Sequence, residues 1–242
     1  MAKKDYFLTV DSETTNTDMV ADFAAVISDR KGNILNQCAV LVDGIFNNPS
    51  EHPLFVDKRV PLESIWSRNG QGKRYDNYRR MLEGGSRMIA SIAAINRWLD
   101  KAASTYNPYL TAYNLPFDRN KCENTGIDLT MFENQFCLWA ASYSRWAHTK
   151  KYKNFVLSQH GFNIPTALGN MSYKTNAEIM ARFVLNKPDL EDEPHTALED
   201  IIFYELPILN ALVKSTSTKN LIENTKPYNW KDFQVKNWFK AR

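Results

Sequence analysis

One stretch near the N-terminus limits what this chain can fold into. The apolar run Tyr6-Phe7-Leu8-Thr9-Val10 leads without a break into Asp11-Ser12-Glu13-Thr14-Thr15. A short run of aromatic, β-branched and aliphatic residues with no Gly or Pro reads as a buried β-strand. Side chains alternate along a strand, so Asp11 and Glu13 share a face with Phe7 and Thr9, while Leu8, Val10 and Ser12 take the other. Two carboxylates held that close raise each other's pKa or require a cation, and oxygen-only ligands suit a hard divalent ion such as Mg²⁺. The alternative is a strand that ends near Val10, with Asp11 to Thr15 as a solvated turn.

The rest of the chain is long enough to bury that strand. At 242 residues it fits one domain of generous size, and a hydrophobic share of 43% with 24% charged is ordinary for a globular protein. A net charge of +3 permits a polyanionic partner without requiring one. The three cysteines, Cys38, Cys122 and Cys137, are scattered, which suggests neither a disulfide framework nor a zinc site. The first apolar run is too brief for a membrane span or a signal segment, so the expectation is a cytoplasmic protein without membrane contact.

Two further strands, Met19 to Ser28 and Ile34 to Val42, are set off by the turns Asn16-Thr17-Asp18 and Asp29-Arg30-Lys31-Gly32-Asn33 and predict an antiparallel meander. From Ile45 to Gly85 no clean period survives. This region, about 45–87, carries Lys58, Arg59, Arg68, Lys73, Arg74, Arg79, Arg80 and Arg87 among Phe55, Trp66, Tyr75 and Tyr78. Cations for phosphates and flat rings for bases suit a single-stranded nucleic acid; a solvated face with anchoring aromatics is the other reading.

Met88, Ile92, Ile95, Leu99 and Ala102 recur at helical spacing, and Asn107-Pro108 ends that helix. Tyr109 to Tyr113 and Phe136 to Ala141 read as strands. Asp118 reads as the N-cap of a helix closed by Gly126, and segments around Tyr152 to Gln159 and Thr175 to Asn186 read as helices. His195-Thr196-Ala197-Leu198-Glu199-Asp200 opens the last long helix, with Thr196 and Glu199 spaced as a capping box and Pro207 predicting a kink.

Taken together, these segments resemble the DEDDh exonucleases, the DnaQ-like group that includes proofreading subunits and ribonuclease T. The motif D-x-E-T is matched by Asp11-Ser12-Glu13-Thr14, and an Asn four residues before Phe-Asp's aspartate by Asn114-Leu115-Pro116-Phe117-Asp118. The motif H-x-A-x-x-D is matched by His195 to Asp200. His195, five before Asp200, fits the histidine rather than the tyrosine subgroup. The pattern departs from the group at Asn16, where Gly is common, and in the length of the 45–85 connection.

The resemblance implies a ribonuclease H-like α/β fold, a mixed central sheet flanked by helices, over residues 1–214. It implies two divalent ions, Mg²⁺ or Mn²⁺, held by Asp11, Glu13, Asp118 and Asp200. Glu13 and His195 carry the catalytic roles, with His195, near its ordinary pKa on a mobile loop end, as general base. Thr14, Thr15, Asn114 and Phe117 are the candidates for holding the terminal nucleotide. The implied activity is 3′→5′ hydrolysis of single-stranded DNA to nucleoside 5′-monophosphates. RNA trimming, or a catalytically inactive module that binds nucleic acid or a polymerase, are the alternatives.

In the tail, 215–242, Trp230, Phe233, Val235, Trp238 and Phe239 alternate with Lys231, Lys236, Lys240 and Arg242. So many aromatics predict docking on the domain itself; a contact with nucleic acid or a replication protein is the other reading.

Overall fold

The computed structural model describes residues 5–163, 165, 169–223 and 233–235. Strands β1 (Tyr6–Thr14), β2 (Val20–Asp29) and β3 (Ile34–Val42) form the antiparallel meander. Its second turn is closed by the Asp29 carboxylate, which accepts from the Lys31 and Asn33 amides at 2.8 and 2.9 Å, with Gly32 at a φ of 88°. Only a residue without a Cβ takes that conformation at little cost.

Three short strands complete the sheet, all in parallel pairings: β4 (Met88–Ala90) on β3, β5 (Tyr109–Ala112) on β1, and β6 (Gln135–Cys137) on β5. The order across the sheet is β4-β3-β2-β1-β5-β6, so β1 lies inside it, at the seam between antiparallel and parallel pairing. This is the mixed, helix-flanked α/β sheet expected from the sequence.

Each sheet face has its own core. Leu8, Val10, Phe23, Ala25 and Ile27 pack against α1 (Arg68–Glu83), α2 (Ile92–Tyr106) and α3 (Leu115–Thr125), through Tyr78, Ile95, Leu99 and Cys122. Phe7, Ala24 and Val26 face the second layer. It is built from α4 (Leu138–Ser142), α5 (Lys150–Ser158), α6 (Ala177–Leu185), α7 (Ala197–Asp200), α8 (Leu206–Ser215) and α9 (Thr218–Glu223). Alternation along β1 therefore splits Phe7 from Leu8 and Val10 as its periodicity requires. Each large side chain buried in this way contributes about 1.5–3 kcal/mol.

Three readings of the sequence need correction. The aperiodic region holds α1, capped by Ser67, whose hydroxyl accepts from the Gly70 amide. Met88 belongs to β4, and the following helix starts at Ile92, behind the N-cap Ser91. Of the run Phe136 to Ala141, only the first two residues are in β6; the rest form α4. Pro207, where the sequence predicts a kink, is the second residue of α8, directly after a π-helical turn, Ile201–Glu205.

Of the tail, Phe233 is buried, with its ring 4.7 Å from Tyr143 and 5.1 Å from Tyr173, and the Val235 amide donates to the Met171 carbonyl at 2.8 Å. Trp230, Lys231, Lys236, Trp238, Phe239, Lys240 and Arg242 lie outside the described residues. No helix among the described residues is long and apolar enough to cross a membrane.

Candidate metal centre

Asp11 and Glu13 are strand residues, opposite Ala24 and Asp22 of β2, and the chain does not turn until after Thr14. On the other side, pairing with β5 stops at Thr9 opposite Thr111. Beyond that point a gap opens beside the two carboxylates, and α3 begins in it. Asn114, at a φ of 81°, turns the chain into this helix as its N-cap. Asp118 is not the cap expected from the sequence; it lies in the first turn, 2% exposed, where it accepts from the Ser12 hydroxyl at 2.8 Å.

The third segment arrives through His195, which adopts a φ of 55° just ahead of α7. The expected capping box is not formed. The Thr196 hydroxyl donates to the Glu199 carboxylate at 2.7 Å, and the Ala197 amide donates to Asp22 at 3.0 Å. Arg87, with its side chain fully buried, bridges Asp22 and Glu199. A buried cation thus ties β2 to α7, and Asp22 is the register partner of Glu13. Breaking such a pair by removing one partner leaves an uncompensated buried charge.

The result is a cleft of about 350 Å³ lined by Asp11, Glu13, Thr14, Phe117, Asp118, His195 and Asp200, with Ser12, Phe55, Asp57, Trp66, Tyr113 and Glu193. Within it, ligand atoms of Glu13, His195 and Asp200 all lie within 4.8 Å of one another, and these three residues could hold a metal ion. Asp200 Oδ1 is buried without a hydrogen-bond partner. An orphaned carboxylate oxygen is what a cation would satisfy; the Glu13 and Asp200 oxygens suit a hard ion, and the His195 nitrogen beside them also admits a transition metal. Thr15 and Asn114 are not among the lining residues: the Thr15 hydroxyl is engaged in its own turn with Thr17 and Met19, and Asn114 shapes the start of α3.

Burial dominates the electrostatics. It pushes Asp11 up to about 7. Asp200 is pushed up to about 11 by burial, then by the charges of Asp11, Glu193 and Glu13. Glu13 and Asp118 are raised well above the carboxylate range by burial and by Asp11, with Arg74 opposing at Glu13 and the Ser12 hydroxyl at Asp118. Glu193, which the motifs did not single out, is raised to about 8 by burial and Asp11.

His195 goes the other way, down to about 4, through burial and the nearby Arg74 cation. This corrects the expectation of an ordinary imidazole on a mobile loop end: the ring is packed 4.5 Å from that of Trp66 and is neutral at pH 7.

Trp66 comes from the region between β3 and β4. That region is stitched to the end of β1: the Phe55 amide donates to the Thr14 carbonyl at 2.9 Å and the Asn16 amide to the Pro53 carbonyl at 2.8 Å. Arg74 of α1 donates to the Phe55 carbonyl and lies 4.7 Å over the Trp66 ring. The basic and aromatic set therefore divides. Arg74, Arg87 and Tyr78 are buried parts of the structure, Phe55 and Trp66 face the cleft, and Lys58, Arg59, Arg68, Lys73, Arg79 and Arg80 are exposed.

Compared with known protein families and with curated proteins, the sequence matches none.

Proposed function

We propose that this chain is a metal-dependent 3′→5′ exonuclease of the DEDDh type, acting on single-stranded DNA with two Mg²⁺ or Mn²⁺ ions. The observation that carries the reading is the meeting of three segments distant in sequence: Asp11 and Glu13, Asp118, and His195 with Asp200 line one cleft. Raised carboxyl pKa values in a cleft are a mark of a functional site. Bound divalent ions supply an acidified water and offset the charge of a phosphodiester under attack.

The chain's own residues supply the rest. Glu13 and Asp200 would hold an ion beside the His195 ring, and Asp11 and Asp118 extend the acidic floor toward α3. The neutral His195 imidazole, steadied by Trp66, is free to take a proton from a water there. Thr14 lines the floor, and the ring of Phe117, 42% exposed, offers a surface for a base. The same reading puts the protein in the cytoplasm, working on 3′ ends; docking of a replication protein on the tail concerns residues mostly outside those described.

The test is incubation with 5′-labelled single-stranded DNA and the matching RNA, in Mg²⁺, Mn²⁺ or EDTA, beside the Asp11→Ala variant. The expected result is a DNA ladder shortening from the 3′ end, abolished by EDTA and by the substitution. Preference for RNA would move the protein to the ribonuclease branch. Binding without cleavage in either metal would overturn the enzymatic reading.

A further inference from the structure

The motif ends at Asp200, but the helix continues through the π-helical turn Ile201–Glu205 before α8. A residue five positions beyond Asp200 would lie about 140° away around a regular α-helix. The i→i+5 bonding of a π turn, made here by the Leu206 amide to the Ile201 carbonyl, brings position 205 back to nearly the same face. Glu205 is thereby returned toward the face of the helix that carries Asp200 and is buried, at a type of irregularity often found at functional sites.

Its surroundings are unusual for a glutamate. Glu205 is 2% exposed; one carboxylate oxygen accepts from the Tyr113 amide at 3.2 Å, and the other, Oε2, is buried with no partner. Tyr113 is the residue between β5 and Asn114, so Glu205 reaches the α3 side of the cleft. After burial, the charges that act on it are those of Asp11, Asp118 and Glu193. Two carboxylate oxygens, Asp200 Oδ1 and Glu205 Oε2, are thus buried without a partner on successive turns of one helical run. A buried acceptor left unpaired is destabilising. The backbone bond to Tyr113 accounts for one oxygen of Glu205 and leaves the other without a purpose.

We propose that Glu205 is a cation-site residue: together with Asp118 and Asp11 it holds, directly or through a bound water, a second divalent ion, separate from one at Glu13 and Asp200. This inference rests on the metal-dependent reading of the cleft and adds a fifth carboxylate to its four.

The experiment is calorimetric titration of the substrate-free full chain with Mn²⁺, on wild type, Glu205→Gln, Glu205→Asp and Asp118→Asn, with thermal melts with and without the ion. Gln keeps an acceptor for the Tyr113 amide and removes only the charge. Wild type is expected to bind two Mn²⁺. In Glu205→Gln the second site should be at least tenfold weaker, with a metal-free Tm no lower than wild type and a smaller Mn²⁺-induced rise. Glu205→Asp, which keeps the charge but withdraws it by one methylene, should weaken that site to an intermediate degree, and it carries the test if the Gln variant does not fold.

Wild-type affinity at both sites in the Glu205 variants, or a fall in metal-free Tm with binding unchanged, would overturn the inference by leaving Glu205 a structural clamp. If Asp118→Asn alone loses the second ion, or wild type binds a single ion, the inference falls while the metal-dependent reading stands. If wild type binds none, both fall together.

Discussion

His195 is held by two opposed demands. A φ of 55° is uncommon for a residue with a side chain and costs on the order of 1 kcal/mol, so the surroundings must impose it. They do so through Trp66 on one side and the Ala197 amide bonded to Asp22 on the other. The imidazole is thereby kept neutral and aimed at Glu13 and Asp200. On the proposed function, replacing it by alanine removes the proton acceptor and little else. In a steady-state assay, His195→Ala should lower kcat by about 10²–10⁴-fold while KM stays close to wild type; retained turnover would show that another group is the base.

The five motif residues were legible in the sequence because their spacing survives without any knowledge of contacts. The pKa of His195 was not, since it depends on Trp66 and Arg74, more than a hundred positions earlier. Glu193 and Glu205 were hidden for a different reason: neither belongs to a spacing rule, and Glu205 enters only through a π turn.

Among the elements, α1 shows why a periodic signal can be missed. Its buried positions Gly70, Arg74 and Tyr78 do fall four apart, but none is aliphatic, so a hydrophobic stripe never appears. Packing replaces the stripe with close backbone approach and a buried cation. A Cβ added at Gly70 would meet the Ile65 carbonyl oxygen at 2.2 Å and that of Ser64 at 2.4 Å. Gly70→Ala should therefore displace the start of α1, which carries Arg74 and so supports Trp66. The expected cost is about 1–3 kcal/mol in a denaturant titration, with weaker binding of single-stranded DNA and Mn²⁺ binding retained. An unchanged melting curve would mean that the loop before α1 yields freely.

Short elements failed for a simpler reason. Met88–Ala90 and Gln135–Cys137 are three-residue strands abutting helices, and so brief a run carries no period of its own. The meander, by contrast, was legible because Asn16-Thr17-Asp18 and the Asp29 to Asn33 turn punctuate it by their own chemistry.

At the scale of the whole molecule, the carboxylates that face the cleft make the metal-free protein sensitive to alkali. Asp11 is raised from 3.8 to about 7 and Glu193 from 4.5 to about 8. The folded state therefore holds protons that the unfolded chain has released, and stability falls as pH rises through the folded values. His195, lowered from 6.5 to about 4, has the opposite sign, but its contribution is complete above pH 6.5. Between pH 6.5 and 8 only the loss remains. Melts in EDTA across that window should show Tm declining, and Mn²⁺ should flatten the decline; a Tm rising with pH in EDTA would contradict the buried acidic centre.

β1 has one further consequence. Its root, Phe7 to Thr9, is paired on both sides, whereas from Val10 onward the β5 side is open. One strand therefore carries two kinds of vulnerability. Damage at the root breaks ladders and core together, so a cell would meet it as protein lost to proteolysis. Damage at Asp11 or Glu13 removes carboxyl groups the core does not need and, on the proposed function, leaves an abundant, inert molecule that still occupies whatever the cleft binds. A lesion of the first kind is a shortage that a second good copy can cover; one of the second kind is a competitor.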